Sequence, residues 1–161
     1  MQKTKFKSGF TIAELLISIA IAAMLLVAVA VAFNASATNY RENEEIFRTI
    51  NAARQSLSRI TSDIRTSLPD PNAPANECTL WSAALGNITY RYDSGQNTLY
   101  LITDSDGQQY VLCKNVTAMN FSKTPTDDGQ DVKSVQISMT VASGDAQRTL
   151  STAAVARRNL N

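Results

Sequence analysis

The chain has 161 residues, with 15 Lys or Arg against 14 Asp or Glu, two cysteines and no histidine. That length fits one small domain plus an appendage. A near-neutral balance excludes a broad electrostatic footprint for nucleic acid, and the lack of histidine excludes a histidine-based triad or histidine metal site.

In chain order, Lys3, Lys5 and Lys7 lead to a single glycine, Gly9. An apolar run follows from Phe10 to Phe33, interrupted near its start by one acid, Glu14. About 20 apolar residues suffice to span a bilayer, and the lysines ahead of the run orient that end to the cytoplasm. Glu14 has two readings. An acid in a first helical turn is favoured by the helix dipole. Alternatively, a cut after Gly9 would give Phe10 a free amine one turn from Glu14. That amine, on its own chain or a neighbour's, would neutralise the carboxylate, the kind of partner an intramembrane acid calls for. An ordinary secretory signal with an exit at Ala35-Ser36-Ala37 is a rival, but its apolar core would be too long and Glu14 fits it poorly.

From Phe10 to Leu68 there is no Gly or Pro. Beyond a polar patch at 34–43 an apolar stripe runs through Ile46, Ile50, Ala53, Leu57, Ile60, Ile64 and Leu68, helical spacing with the charged residues largely on other faces. The reading is a membrane helix over 10–33 continuing into an amphipathic helix over 34–68, with 36–43 as the expected bend or frayed point. Pro69 ends the helix and residues 70–74 form a rigid connection. Strands are predicted at 88–92, 98–103, 109–113, 116–121, 134–141 and 148–155, joined by turns at Asp93-Ser94-Gly95, Asp104-Ser105-Asp106-Gly107 and Ser143-Gly144-Asp145 and by a polar loop at 124–131. The fold class is α+β: a long N-terminal helix whose stripe covers a small antiparallel meander in a head spanning 69–161.

Cys78 and Cys113 both lie beyond the membrane segment, on the oxidising side by this orientation. A disulfide between them is expected, with two buried thiols as the alternative. The aspartates at Asp104, Asp106, Asp127, Asp128 and Asp131 sit in turn sequences where Asp is ordinary. The Asp104–Gly107 turn faintly resembles a calcium loop but lacks its later ligands. No phosphate-binding glycine loop is present. No catalytic residue, metal site or cofactor is expected, and the chain does not read as an enzyme.

The stretch Lys7-Ser8-Gly9-Phe10-Thr11-Ile12-Ala13-Glu14-Leu15-Leu16-Ile17 resembles the leader junction of type IV pilins and type II secretion pseudopilins. The resemblance implies a leader over 1–9, cut after Gly9 by a prepilin peptidase that then methylates Phe10. It implies that Glu14 meets the Phe10 amine of a neighbour during assembly. Partners would be other pilin-like subunits through the N-terminal helix and an inner-membrane assembly platform, with the head outside and no nucleic acid. Loss of residues 1–9 would leave 12 basic against 14 acidic side chains, since Lys3, Lys5 and Lys7 depart with no acid. Many major pilins carry a proline within the first helix, and this one has none. Residues 54–65, Tyr90-Arg91-Tyr92, Val111–Val116 and Val155–Leu160 are similar to J-type minor pseudopilins and W-type minor pilins. That implies a minor subunit at a filament tip. A membrane-anchored extracytoplasmic binding module that never assembles, and a secreted protein cut after Ala37, are the other readings.

Overall fold

The computed structural model describes residues 9–82, 86–105 and 107–156. Most of the leader, Asp106 of the predicted calcium-like turn, and Arg157–Leu160 of the second resemblance lie outside the described residues.

One helix, α1, spans Ile12–Thr66. Residues 36–43 are helical, so the fraying that was one of the two expectations there is absent. Those residues include no helix breaker, and Thr38 turns its hydroxyl back onto the Asn34 carbonyl, at 3.1 Å, so the polar patch makes no competing loop. The chain divides into two compact units, one ending at Arg41 and the other beginning at Glu42. In the first, the apolar residues of α1 are long and apolar enough to cross a membrane, and none is buried.

Among its described residues the second unit holds the last turns of α1 and eight strands: β1 (Leu68–Pro69), β2 (Glu77–Ser82), β3 (Gly86–Asp93), β4 (Thr98–Thr103), β5 (Gln109–Lys114), β6 (Val116–Pro125), β7 (Val132–Ser143) and β8 (Ala146–Val155). They form two antiparallel sheets, in the orders β1-β2-β3-β4-β5 and β6-β7-β8. The single meander expected from sequence is therefore divided. The division falls at Asn115, the one residue between β5 and β6. Asn115 is left-handed, with φ of 61°, a conformation that asparagine tolerates better than most residues. It turns the chain so that β6 pairs with β7 and not with β5. Asn97, at φ of 49°, closes the β3–β4 turn, and its carbonyl accepts from the Val116 N–H at 2.9 Å.

The core lies between the helix stripe and the inner faces of both sheets. Ala53, Leu57, Ile60 and Ile64 of α1 are buried with Leu80, Tyr90, Leu99, Leu101, Phe121, Val135, Ile137 and Met139. Ile46 and Ile50 are half-buried. Leu68 is not part of the helix: α1 ends at Thr66, and Leu68 sits opposite Trp81 in β1. β2 was not anticipated, although Cys78 and Leu80 point inward while Trp81 faces out, the alternation expected of a half-buried strand. β1 was not anticipated either; β3 and β5 to β8 extend the expected strands by one to four residues at one or both ends, and β4 matches its expected bounds.

Candidate functional site at the start of the helix

Gly9 and Phe10 precede α1 and are both exposed. No atom lies within 4 Å of where a Gly9 side chain would begin, so the glycine is not required by packing in this chain. Thr11, the residue before the helix, and Glu14 form a reciprocal pair. The Thr11 N–H and hydroxyl both donate to Glu14 Oε2, at 2.9 and 3.0 Å, while the Glu14 N–H donates to Thr11 Oγ1 at 3.2 Å. This is a capping box, in which two otherwise orphaned donors of a helix start are satisfied. The sequence carries its signature as Thr11-Ile12-Ala13-Glu14, a signal that the dipole and pairing readings of Glu14 both passed over. Only Oε2 is engaged with Thr11. Phe10 is still joined to Gly9 here, so its nitrogen is an amide and not the free amine of the pairing reading.

Around this site α1 presents Ile12, Leu15, Leu16, Ile17, Ile19 and Ile21, each more than half exposed. Such a surface fits a membrane anchor, since monomeric soluble proteins rarely leave so large a patch in water.

The structure does not bring the two cysteines together. Cys78 on β2 lies opposite Tyr90 on β3, and Cys113 on β5 lies opposite Leu99 on β4. Three strand spacings, about 14 Å in all, separate them, whereas a disulfide needs Cα atoms within about 7 Å. Both are free and buried, at 0% and 2% exposure. The expected bridge is thus replaced by two core thiols. Burial pushes Cys78 up to about 12 and Cys113 to about 11, which keeps both protonated and poorly nucleophilic.

The aspartates serve turns. Asp93 Oδ1 accepts from the N–H groups of Gly95 and Gln96, at 2.8 and 3.2 Å. Asp128 Oδ1 accepts from the Thr126 hydroxyl and the Gln130 N–H, bonds that hold its carboxyl below the usual range, the Thr126 one most. Among the described residues no three His, Cys, Asp or Glu side chains are grouped to hold a metal ion. A shallow polar hollow lined by Glu45, Asn97, Asn115, Thr117 and Ser143 contains one ionisable group, too few for paired acid–base chemistry.

Two polar anchors of the head were not anticipated. The Tyr90 hydroxyl donates to Asp63 Oδ2 at 2.5 Å, with Arg59 Nε 4.0 Å from the same oxygen. Burial first, and the Asp63 bond second, push the Tyr90 phenol up. The signal was available: an inward tyrosine needs a partner for its hydroxyl. Lys123 Nζ donates to the carbonyls of Ala73, Pro74 and Glu77, at 2.5, 3.4 and 3.3 Å. Its ammonium ties the 70–77 connection to β6, and burial pulls its pKa down.

Residues 4–30 match the family described as the prokaryotic N-terminal methylation motif. That match supports the pilin-like reading of the chain's beginning. No curated protein and no solved structure matches the chain.

Proposed function

We propose that this chain is the precursor of a type IV pilin-like or pseudopilin subunit, a structural protein that leaves the membrane to join a filament. The observation that carries the reading is the methylation motif over residues 4–30, which includes the Gly9–Phe10 junction. Cleavage there removes the lysine-rich leader and gives Phe10 an amine. Glu14 has a carboxylate oxygen not engaged by Thr11, and a neighbouring subunit's amine is the charge that would meet it in an apolar bundle. The unburied apolar face of α1 supplies the contact surface for membrane and bundle alike. The head, fixed by its own core, faces away from the cytoplasm. The proline-free helix and the J-like and W-like segments favour a minor subunit at a tip.

Intact-mass measurement of the membrane-extracted protein tests this. The expected species lacks residues 1–9 and carries one added methyl group on Phe10. A Gly9→Val variant should retain the leader, because the peptidase must seat a small residue at the bond it cuts. A mature protein that begins at Met1 would support a non-assembling anchored module, and one that begins at Thr38 a secreted protein. Normal processing of Gly9→Val would refute the proposal.

A further inference from the structure

We propose that the outward face of the β6-β7-β8 sheet is a docking surface for a neutral polysaccharide laid flat along the strands. Successive side chains of a strand point to opposite faces. One face of this sheet carries Phe121, Val135, Ile137, Met139 and Val141, all buried in the core. The register sets out the other face in rows. Asn120 stands beside Ser138 and Ser138 beside Ser151; Ser122 stands beside Gln136 and Gln136 beside Ala153. Ala118, Thr140 and Thr149 flank these rows on one side, and Thr124, Ser134 and Val155 on the other. Every one of these residues is exposed or half-exposed, and none is charged or aromatic.

That neutrality sets the face apart. Exposed strands ordinarily use charge to repel other chains, and a soluble surface intersperses charges of both signs. The outward face of the five-stranded sheet does so, with Glu77 paired to Arg91 at 2.6 Å and Trp81 exposed on the same strand as Glu77. The rows of the β6-β7-β8 sheet hold small hydroxyl and amide side chains instead.

The side-chain types select the occupant. Nucleic acid and anionic lipid both need cations to meet their phosphates, and these rows supply none. A protein partner is held by aromatic, Met or Arg anchors, while Ser and Ala are depleted at interfaces and Ser and Thr are rare among the residues that carry binding energy. What the rows offer is a dense array of groups that donate and accept hydrogen bonds at once. Among the described residues the side chains of Asn120, Ser122, Gln136, Ser138 and Ser151 make no hydrogen bond. Thr140 and Thr149 share one between their hydroxyls, at 3.0 Å, and retain further capacity. A sugar hydroxyl has the same chemistry and the same lack of charge. The rows extend about 10 Å across the strands and about 20 Å along them, without large side chains to wall in a single ring. One hydrogen bond exchanged with water gains little, so a repeating chain that makes many together is favoured over a free monosaccharide. This inference stands whether or not the chain is cut after Gly9.

The test is co-sedimentation of the full chain, held in a zwitterionic detergent that has no sugar head group, with particles of cellulose, chitin and granular starch. Cross-linked pectate and chitosan serve as the anionic and cationic comparators. The expected result is retention by at least one neutral polymer, unchanged as salt is raised to about 1 M. A Ser138→Lys, Ser151→Lys variant places two ammonium groups in the middle of the rows and should weaken that retention about tenfold or more. Arg54→Ala, on the helix, should leave it unchanged. Both variants should melt with the parent, since the substituted side chains are outside the core. Retention by no neutral polymer would overturn the proposal, as would equal retention of the double-lysine variant. Retention by the charged polymers alone, lost as salt rises, would assign binding to charges elsewhere on the chain and overturn it too.

Discussion

Glu14 holds Thr11 through one carboxylate oxygen, and that bond makes a clean experiment possible. Glutamine can occupy the same position of a capping box, so Glu14→Gln keeps the helix start and removes only the charge. Under the assembly reading, the variant is cut after Gly9, stays in the membrane and is depleted from sheared filaments by about two orders of magnitude. Wild-type incorporation would leave Glu14 as a helix cap and no more. The buried thiols give a second prediction at this scale. In the unfolded chain they ionise near the ordinary value of 9.0, while in the fold Cys78 is pushed up to about 12 and Cys113 to about 11. Above pH 9 the unfolded chain therefore holds fewer protons than the folded one. Their contribution is fully present below that pH and is lost as pH rises, by at most about 1.4 kcal/mol per pH unit from Cys78 and less from Cys113. Urea unfolding from pH 7 to 11 should show the decline. The Cys78→Ala, Cys113→Ala double variant should be less stable at pH 7 and show a shallower slope above pH 9.

Among the elements, Asn115 decides most with least. It alone separates β5 from β6, and its left-handed backbone is what sends the chain into a second sheet. Asn115→Gly should preserve stability within a few tenths of a kcal/mol, since glycine adopts that conformation freely. Asn115→Val should cost about 1–3 kcal/mol, as a β-branched residue is strained there, measurable as a lower unfolding midpoint. This junction also explains what the sequence reading missed. The helix stripe was legible because burial of one face repeats at helical spacing, and Ala53, Leu57, Ile60 and Ile64 all lie in the core. Six strands, β3 to β8, were legible from alternation and the turn residues between them. The partition into two sheets was not, because it rests on one dihedral at an ordinary-looking Lys-Asn-Val. β2 was hidden by its partner-dependent character: Glu77 and Trp81 make sense in a strand only once Arg91 and Asn87 stand opposite them. The Glu77–Arg91 ion pair, at 2.6 Å, has no trace in local pattern.

The molecule as a whole separates its tasks along the chain. Among the described residues every buried one lies at or after Ala53, within the second unit. A chain that begins at Glu42 should therefore be soluble without detergent and melt within a few degrees of the full-length head. Aggregation of that fragment, or a drop in melting temperature of more than about 8 °C, roughly 1–2 kcal/mol for a domain this size, would show that the head needs the preceding helix. The candidate site, by contrast, was legible from the outset, because a leader junction is a linear signal: under the proposed function Gly9, Phe10 and Glu14 would be read in order by a peptidase, with no fold needed to bring them together. The cysteines show the converse. Their position in the sequence suggested a bond, and only the sheet order, with β3 and β4 standing between them, removes it.

That register bears on how the protein is made. Under the proposed function the head folds where oxidases act, and an unfolded chain with two thiols 35 positions apart is a good substrate for them. A bond formed then would draw β2 against β5 and exclude β3 and β4 from between them, so it traps the chain instead of stapling it. Productive maturation is thus a race between collapse and oxidation, won when the sheet closes over both sulfurs first. Refolding after denaturation under an oxidant should stall in a species that a reductant releases, while refolding in reductant proceeds to completion. Once folded, the same protein should survive the oxidant unchanged.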